Sequence, residues 1–113
     1  MEMELTEVGS HQVKVVFKGR LDTPGVGRVE TRFVGSVVPR GRPTLVDLSQ
    51  VEFIASLGVR MLISAARSLG MKGAKLVICA PTEAVREVFE HVALAEIIPI
   101  YDSEADALAV LQG

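Results

Sequence analysis

A chain of 113 residues, 49% of them apolar and only 4% aromatic, has material for one domain with an aliphatic core. Twelve basic against fourteen acidic residues leave a net charge of −2, which argues against nucleic acid or an anionic membrane as the main partner. The opening MEMELTEVGS is acidic where a secretory signal needs a basic flank, and no apolar run approaches the roughly 18 residues of a membrane span. We expect a single domain over residues 1–113, in the cytoplasm and without membrane insertion.

Turn signals divide the chain into short strands. Three segments have the apolar composition and the length of strands: VKVVFKG from Val13, TLVDLS from Thr44 and KLVICA from Lys75. A weaker strand, MEMELTEV, is predicted to pair with VKVVF through a turn at Gly9-Ser10. IIPIY near Ile97 is a candidate edge strand, because Pro99 cannot donate a hydrogen bond to a neighbouring strand. The sequence therefore predicts four or five strands.

Helices are predicted between these strands. Thr23 followed by Pro24 is typical of an N-cap with proline at the first helical position, and this helix ends at the basic loop PRGRP. A second N-cap is predicted at Thr82, and a last short helix is predicted to start at Ser103. The helix after Thr82 carries an apolar stripe: Val85, Val88, Phe89 and Val92. The alternation of strands and helices predicts an α/β domain whose later strands are parallel.

The segment after FIASLG has the pattern of an amphipathic helix. Its apolar stripe is predicted to consist of Val59, Leu62, Ile63, Ala66 and Leu69. The other side carries polar residues at spacings of four, four and three: Ser56, Arg60, Ser64 and Arg67. Ser56 opens this polar face in the first helical turn, where free N–H groups and the helix dipole favour an anion. A serine at a helix start is also a common N-cap, and spacing alone favours that role.

Three stretches in this order, GRLDT, VDLSQVEF and IASLG, resemble a STAS domain of the anti-sigma-factor antagonist type. That family has a G-x-L-D-T-like turn after the second strand, then D-L-S, then D-S-S/T-G at the start of the next helix. The resemblance extends from about Gln12 to the last helix. It implies a single STAS-type α/β domain with a mixed sheet of four to five strands and about four helices.

The resemblance also implies a function. In the family the first serine of D-S-S/T-G accepts a phosphate, and it corresponds to Ser56, with Gly58 at the glycine. The implied partner is an anti-sigma factor that is also a serine kinase of the histidine-kinase-like ATPase fold, and the unphosphorylated antagonist binds it. Phosphorylation ends the binding, and a metal-dependent serine phosphatase reverses it. A phosphoryl group adds about −1.5 to −2 charges, which an interface would have to desolvate.

Two positions depart from the family pattern. Ala55 stands where the family has an aspartate, and Leu57 stands where it has a hydroxyl residue. An alternative function is therefore an unphosphorylated STAS scaffold, or a regulatory subunit of a transporter or signalling complex. Leu57 itself has two interpretations, as a contact for an apolar pocket of the partner or as a core residue.

The partner is expected to contact one surface, formed by Asp22, Thr23, Ser56, Leu57, Gly58, Arg60 and Ser64. Asp22 matches the aspartate of the family's turn, although an Asx-turn or a helix cap explains it equally well. Asp47 and Ser49 match D-L-S, but hydrogen bonding at a strand end is the favoured role. Arg60 is expected either to contact partner carboxylates or a phosphate, or to remain solvated.

Other chemistry has weaker support. A serine between a strand and a helix is also the layout of a hydrolase nucleophile elbow, G-x-S-x-G, but Ile54 occupies the place of its first glycine, and no enzyme is predicted. His11 and His91 lack further ligands at suitable spacing, and PGVGR lacks the third glycine of a dinucleotide loop, so neither a metal nor a cofactor is expected. Cys79, in LVICAP, is predicted to be a buried and inert thiol.

Overall fold

A computed structural model describes residues 1–9 and 11–112, except for the side chain of Gln112. Within these residues, five strands, four α-helices and one short 3-10 helix follow one another along the chain. In order they are β1 Glu2–Val8, β2 Gln12–Leu21, α1 Thr23–Val37, β3 Thr44–Ile54, α2 Ser56–Met71, β4 Leu76–Cys79, α3 Glu83–His91, the 3-10 helix Leu94–Glu96, β5 Ile100–Tyr101 and α4 Glu104–Gln112. Gly9 of the predicted turn has a φ of +64°, and Ser10 lies outside the described residues.

The five strands form one mixed sheet in the order β1-β2-β3-β4-β5. β1 runs antiparallel to β2, and the remaining neighbours are parallel. The predicted α/β class and mixed sheet are confirmed, as is the edge strand after Pro99. β2 and β3 extend further than predicted, since they remain paired through two register shifts as far as Leu21 and Ile54, whose side chains are both buried.

The core lies on both faces of the sheet. Side chains of α1, α2 and α3 share the larger cluster with one face, where Phe17 of β2 meets Phe33 of α1 edge to face at 5.2 Å between ring centroids. The smaller cluster joins Val77 and Cys79 of β4 to Ala107 of α4. Because alternate residues of a strand point to opposite faces, β4 contributes to both clusters.

One helix start differs from the prediction, and at another the predicted N-cap residue makes a different hydrogen bond. The N-cap of α1 is Asp22 and not Thr23, because Asp22 is extended and its carboxylate accepts a hydrogen bond from the Gly25 N–H. Thr82 does occupy the N-cap position of α3, but its hydroxyl donates to the carbonyl oxygen of Val51 at 2.8 Å. Ser103 precedes α4, and its Oγ accepts a hydrogen bond from the Asp106 N–H, which is consistent with the predicted start.

The predicted apolar stripes are partly wrong. On α2 the buried face includes Met61 and Ala65, whereas Ile63 and Ala66 are only partly buried. The buried stripe is therefore shifted around the helix axis, away from Ile63 and Ala66 and toward Met61 and Ala65. On α3, Val92 is exposed because the helix ends at His91 and Val92 is its C-cap. Within the described residues, none of the helices is both long enough and apolar enough to cross a bilayer.

Candidate functional site

The carboxyl ends of β2 and β3 lie side by side, and a helix starts immediately after each. Leu21 pairs with Ile54, and the Ala55 N–H donates a hydrogen bond to the carbonyl oxygen of Leu21 at 2.9 Å. Asp22 and Ala55 are the N-caps of α1 and α2. Two helix N-termini, with their free N–H groups and positive dipole ends, therefore meet at one edge of the sheet.

Two glycines allow these helices to approach the strand ends. A Cβ atom on Gly25 would lie 2.0 Å from the carbonyl oxygen of Arg20. A Cβ atom on Gly58 would lie 2.8 Å from Cγ1 of Ile54 and 3.1 Å from the carbonyl oxygen of Leu21. Gly58 is buried, so it lies beneath the exposed residues of the site and contributes by allowing this close approach. Its contact with a partner stays a prediction.

Ser56 is exposed and is the first residue of α2. The N-cap is Ala55, which is extended and has no side-chain oxygen to form a capping hydrogen bond. The interpretation of Ser56 as an N-cap is therefore wrong, because the helix starts one residue earlier than that role requires. Among the hydrogen bonds of the described residues, none involves the Ser56 hydroxyl. This hydroxyl is accessible for modification or binding.

Asp22 forms the turn between β2 and α1. Its Oδ1 accepts a hydrogen bond from the Gly25 N–H at 2.9 Å, and its Oδ2 lies 3.4 Å from Nε of Arg20. The Gly25 hydrogen bond lowers the pKa of Asp22, and the Arg20 guanidinium lowers it further. The proposed role as a helix cap is confirmed, while a contact of Asp22 or the exposed Thr23 with a partner stays a prediction.

Arg20 and Phe53 form a contact that no motif in the sequence predicted. They are neighbours across β2 and β3, and the Arg20 guanidinium lies 4.6 Å from the centroid of the Phe53 ring. Phe53 and Leu57, on either side of Ser56 in the sequence, are each 37% exposed. The adjacent apolar pair Phe53-Ile54 could have indicated this exposed aromatic side chain. Two successive strand residues face opposite sides of a sheet, so Phe53 and Ile54 cannot both face the same side.

The polar face of α2 continues from this site. Ser56, Arg60, Ser64 and Arg67 are all exposed, as predicted. A shallow groove of about 400 Å³ on this helix is lined by Arg60, Ile63, Ser64, Arg67, Ser68 and Met71. The exposed Leu57 does not belong to the core, which favours its interpretation as a contact residue.

Asp47 and Ser49 serve a local structural purpose. The Ser49 N–H donates to Oδ1 of Asp47 at 2.8 Å, and Oδ2 of Asp47 lies 3.8 Å from Nζ of Lys14. The favoured hydrogen-bonding role is therefore confirmed, although both residues lie within β3 and not at its end. Cys79 is fully buried as predicted, and burial raises the pKa of its thiol to about 12.

Comparisons with known proteins agree with this architecture. A candidate anti-sigma factor antagonist of Bordetella bronchiseptica, BtrV, is 27% identical over 95 residues, which cover 84% of this chain and 82% of that protein. The anti-sigma-B factor antagonist of Listeria monocytogenes is 23% identical over 106 residues, which cover 94% of this chain and 93% of that protein.

A solved structure is similar over almost its entire length. The crystal structure of an anti-sigma factor antagonist from Mycobacterium paratuberculosis superposes with a TM-score of 0.88 at 26% identity, covering 99% of this chain and 94% of that chain. The family model described as the STAS domain matches residues 2–107. Because this match spans nearly all of the sequence, the chain belongs to the STAS domain family.

Proposed function

We propose that the chain is an anti-sigma factor antagonist in a partner-switching pathway, acting in the cytoplasm. With Ser56 unmodified it binds an anti-sigma factor that is also a serine kinase, and phosphorylation of Ser56 by that kinase releases it. A serine phosphatase restores the binding form. One observation carries the proposal: Ser56 presents an exposed hydroxyl, unused as a cap, at a helix start beside the Asp22 turn. The names of the Bordetella and Listeria relatives support an anti-sigma factor as the partner.

The position of Ser56 suits a reversible charge. A phosphate there would face the N–H groups of the first turn of α2 and the positive end of its dipole, so the domain can accept it without unfolding. The exposed Phe53 and Leu57 nearby gain stability by burial against a partner. A phosphate of about −1.5 to −2 charges in the same interface must be desolvated, which disfavours the complex.

The proposed contact surface extends from the Asp22 turn over the first half of α2. It comprises Asp22, Thr23, Ser56, Leu57, Arg60 and Ser64, with Gly58 beneath. Hydrogen exchange of the bound chain should slow in residues 22–26 and 55–65. Protection confined to α3 would contradict this surface.

Phosphorylation is tested directly. The chain serves as bait in native cytosol to recover an ATPase of the histidine-kinase-like fold, which is then purified and incubated with the chain and ATP. Mass spectrometry should locate phosphate on Ser56, and a Ser56→Ala chain should remain unmodified. Phosphate on Ser64 or Ser68 alone, or none while the kinase modifies a known substrate, would refute the switch.

A second candidate function rests on the residues beside Ser56. Ala55 and Leu57 leave the serine without a neighbouring carboxylate or hydroxyl. In this alternative the domain is an unphosphorylated scaffold, or a regulatory subunit of a transporter or signalling complex, and it uses the same surface. Recovery of such a subunit with the bait, while Ser56 stays unmodified, would favour it.

We assign the chain no catalytic residue. A hydrolase serine needs a general base, most often a histidine, within hydrogen-bond reach, and none of the hydrogen bonds among the described residues joins the Ser56 hydroxyl to such a base. A fluorophosphonate probe, which labels activated serines, should leave Ser56 unlabelled. Labelling at Ser56 would instead identify a serine hydrolase.

A further inference from the structure

Charge is distributed unevenly along this chain. Residues 53–82 contain no aspartate or glutamate, and their basic side chains are Arg60, Arg67, Lys72 and Lys75. Residues 83–113 contain seven acidic side chains, and their only lysine or arginine is Arg86. The net charge of −2 conceals this separation. Since α2 lies wholly in the first stretch, its surface is basic on a chain that is acidic overall.

The two arginines of α2 share one exposed face. Arg60 and Arg67 are seven residues apart, which places them two turns apart on the same side, separated by about 10 Å along the axis. Both are exposed, and neither takes part in a salt bridge within the described part of the chain. Four other arginines are paired with carboxylates: Arg20, Arg40, Arg42 and Arg86. Arg32 donates to the carbonyl oxygen of Met3, and Arg28, on α1, also has no salt bridge among the described residues.

The groove on α2 places these guanidinium groups beside other binding groups. Arg60 and Arg67 line it together with Ser64 and Ser68. Ile63 and Met71 add apolar surface, and Met71 is 90% exposed. A surface with two unpaired guanidinium groups around a partly apolar groove is complementary to a segment carrying carboxylates and apolar side chains.

We infer that the exposed face of α2, formed by Arg60, Ser64 and Arg67, binds an acidic surface of the protein partner. This inference rests on the proposed function, in which that partner is an anti-sigma factor with kinase activity. The planar guanidinium group can bind a carboxylate through two parallel hydrogen bonds, which gives the contact both strength and a fixed orientation. Complementary charge also accelerates the encounter of the two proteins.

An acidic partner surface explains how phosphate on Ser56 ends the binding. Ser56 and Arg60 are four residues apart, so their side chains are neighbours on the helix. A phosphate on Ser56 competes with the partner's carboxylates for Arg60 and repels those carboxylates. The same arginine thus stabilises the complex before modification and pairs with the phosphate afterwards.

Nucleic acid fits this surface less well than an acidic protein does. A duplex presents a continuous line of phosphates and would extend over faces of the chain beyond α2. There it would meet the acidic side chains of residues 83–113, of which Glu87 and Glu90 on α3 are exposed. A protein surface can match the limited basic area of α2 alone.

The first test identifies what touches α2. The photoreactive residue benzoylphenylalanine replaces Ser64 in the full chain, and replaces the exposed Glu87 of α3 in a matched control. Both chains are irradiated in native cytosol, and the cross-linked peptides of the captured protein are identified by mass spectrometry. We expect Ser64 cross-links to lie in segments rich in aspartate and glutamate, and Glu87 to give none of these.

The second test measures how much the two arginine charges contribute to partner binding. The affinity of the captured protein is compared for the double variants Arg60→Glu/Arg67→Glu and Lys72→Glu/Lys75→Glu, which change the formal charge equally. We expect the arginine pair to weaken binding at least tenfold and the lysine pair less than threefold, with both variants folded by circular dichroism. Added salt should weaken wild-type binding more than that of the arginine variant, because salt screens exposed charges.

The outcomes separate this inference from the proposed function. Acidic cross-linked segments on a histidine-kinase-like ATPase support both, whereas acidic segments on another protein support the inference alone. Cross-links to neutral or basic segments, or equal losses in the two double variants, overturn the inference even when the ATPase is captured. Cross-links to a second copy of this chain, or no captured protein at Ser64, overturn it as well.

Discussion

The main-chain N–H of Ala55 donates a hydrogen bond to the carbonyl oxygen of Leu21 at 2.9 Å, directly after the pairing of Leu21 with Ile54. This bond joins the end of β2 to the N-cap of α2. Because Asp22 follows Leu21 and Ser56 follows Ala55, it also holds the two helix starts together. A change that moves the Leu21 carbonyl therefore disturbs the surroundings of Ser56.

Gly25→Ala should destabilise the chain, whereas Gly27→Ala on the same helix should stabilise it. The new methyl group at Gly25 would overlap the carbonyl oxygen of Arg20, while the Cβ position of Gly27 has no atom within 4 Å. We expect a loss of about 2 kcal/mol or more for the first and a gain of about 0.5–1 kcal/mol for the second. Urea unfolding of both variants measures this difference. Equal effects would contradict the close approach at Gly25.

Ser56→Ala should leave the free energy of unfolding within about 0.5 kcal/mol of wild type, because the Ser56 hydroxyl caps no helix. Ser103→Ala is the matched control, since Oγ of Ser103 does accept the Asp106 N–H, and it should lose about 1 kcal/mol. Chemical unfolding distinguishes the two serines.

In binding assays, Ser56→Ala should retain the partner in the presence of ATP, and Ser56→Asp should bind at least tenfold more weakly, by about 1.4 kcal/mol.

Leu57→Ser should weaken partner binding by about 1 kcal/mol through lost apolar burial, with little change in unfolding temperature. The 37% exposure of Leu57 is the reason for both expectations. Val92→Ser, just after the end of α3 and outside the proposed surface, serves as a control for a still more exposed apolar residue. Calorimetric titration and thermal melting give the two readouts. A lower melting temperature with unchanged affinity would make Leu57 a core residue.

Asp22→Asn should reduce the sensitivity of the fold to acid. The pKa of Asp22 is lowered in the folded state by the Gly25 N–H and then by Arg20. Its contribution to stability is therefore complete above the unfolded-state pKa, about 4, and is lost as pH falls through the lower folded-state pKa. An asparagine side chain at position 22 can still accept the Gly25 N–H as a helix cap, but it does not titrate. The free energy of unfolding, measured from pH 6 to pH 2, should decline less steeply for Asp22→Asn than for wild type.

Cys79 should resist thiol reagents while the chain is folded. Burial raises the pKa of this thiol to about 12, so almost none of it is thiolate at pH 8. We expect no reaction with dithionitrobenzoate in buffer and complete reaction in 6 M guanidinium chloride, a concentration of about the strength that unfolds even very stable domains. Fast labelling of the native chain would show that the strand beneath α4 opens readily.

The architecture was largely predictable because it depends on local patterns. Short β-branched runs ending at glycine or proline predicted the strands, and the order of elements predicted the mixed α/β sheet. The motifs around Asp22 and Ser56 also predicted that these two turns lie together at the strand ends, as the structure shows, while their contact with a partner stays a prediction. These features are encoded by neighbouring residues, so a linear sequence displays them.

The sequence by itself therefore determined the fold class and the exposed polar face of α2, since residue spacing sets which side chains share a helix face. Only the tertiary structure decided the roles of individual residues at the site. It made Asp22 and not Thr23 the cap, left the Ser56 hydroxyl without a hydrogen bond, and placed Arg20 over Phe53. The placement of Arg20 over Phe53 depends on the register between β2 and β3, where bulges shift the pairing. Contacts between distant segments fix that register, and no local pattern reports it.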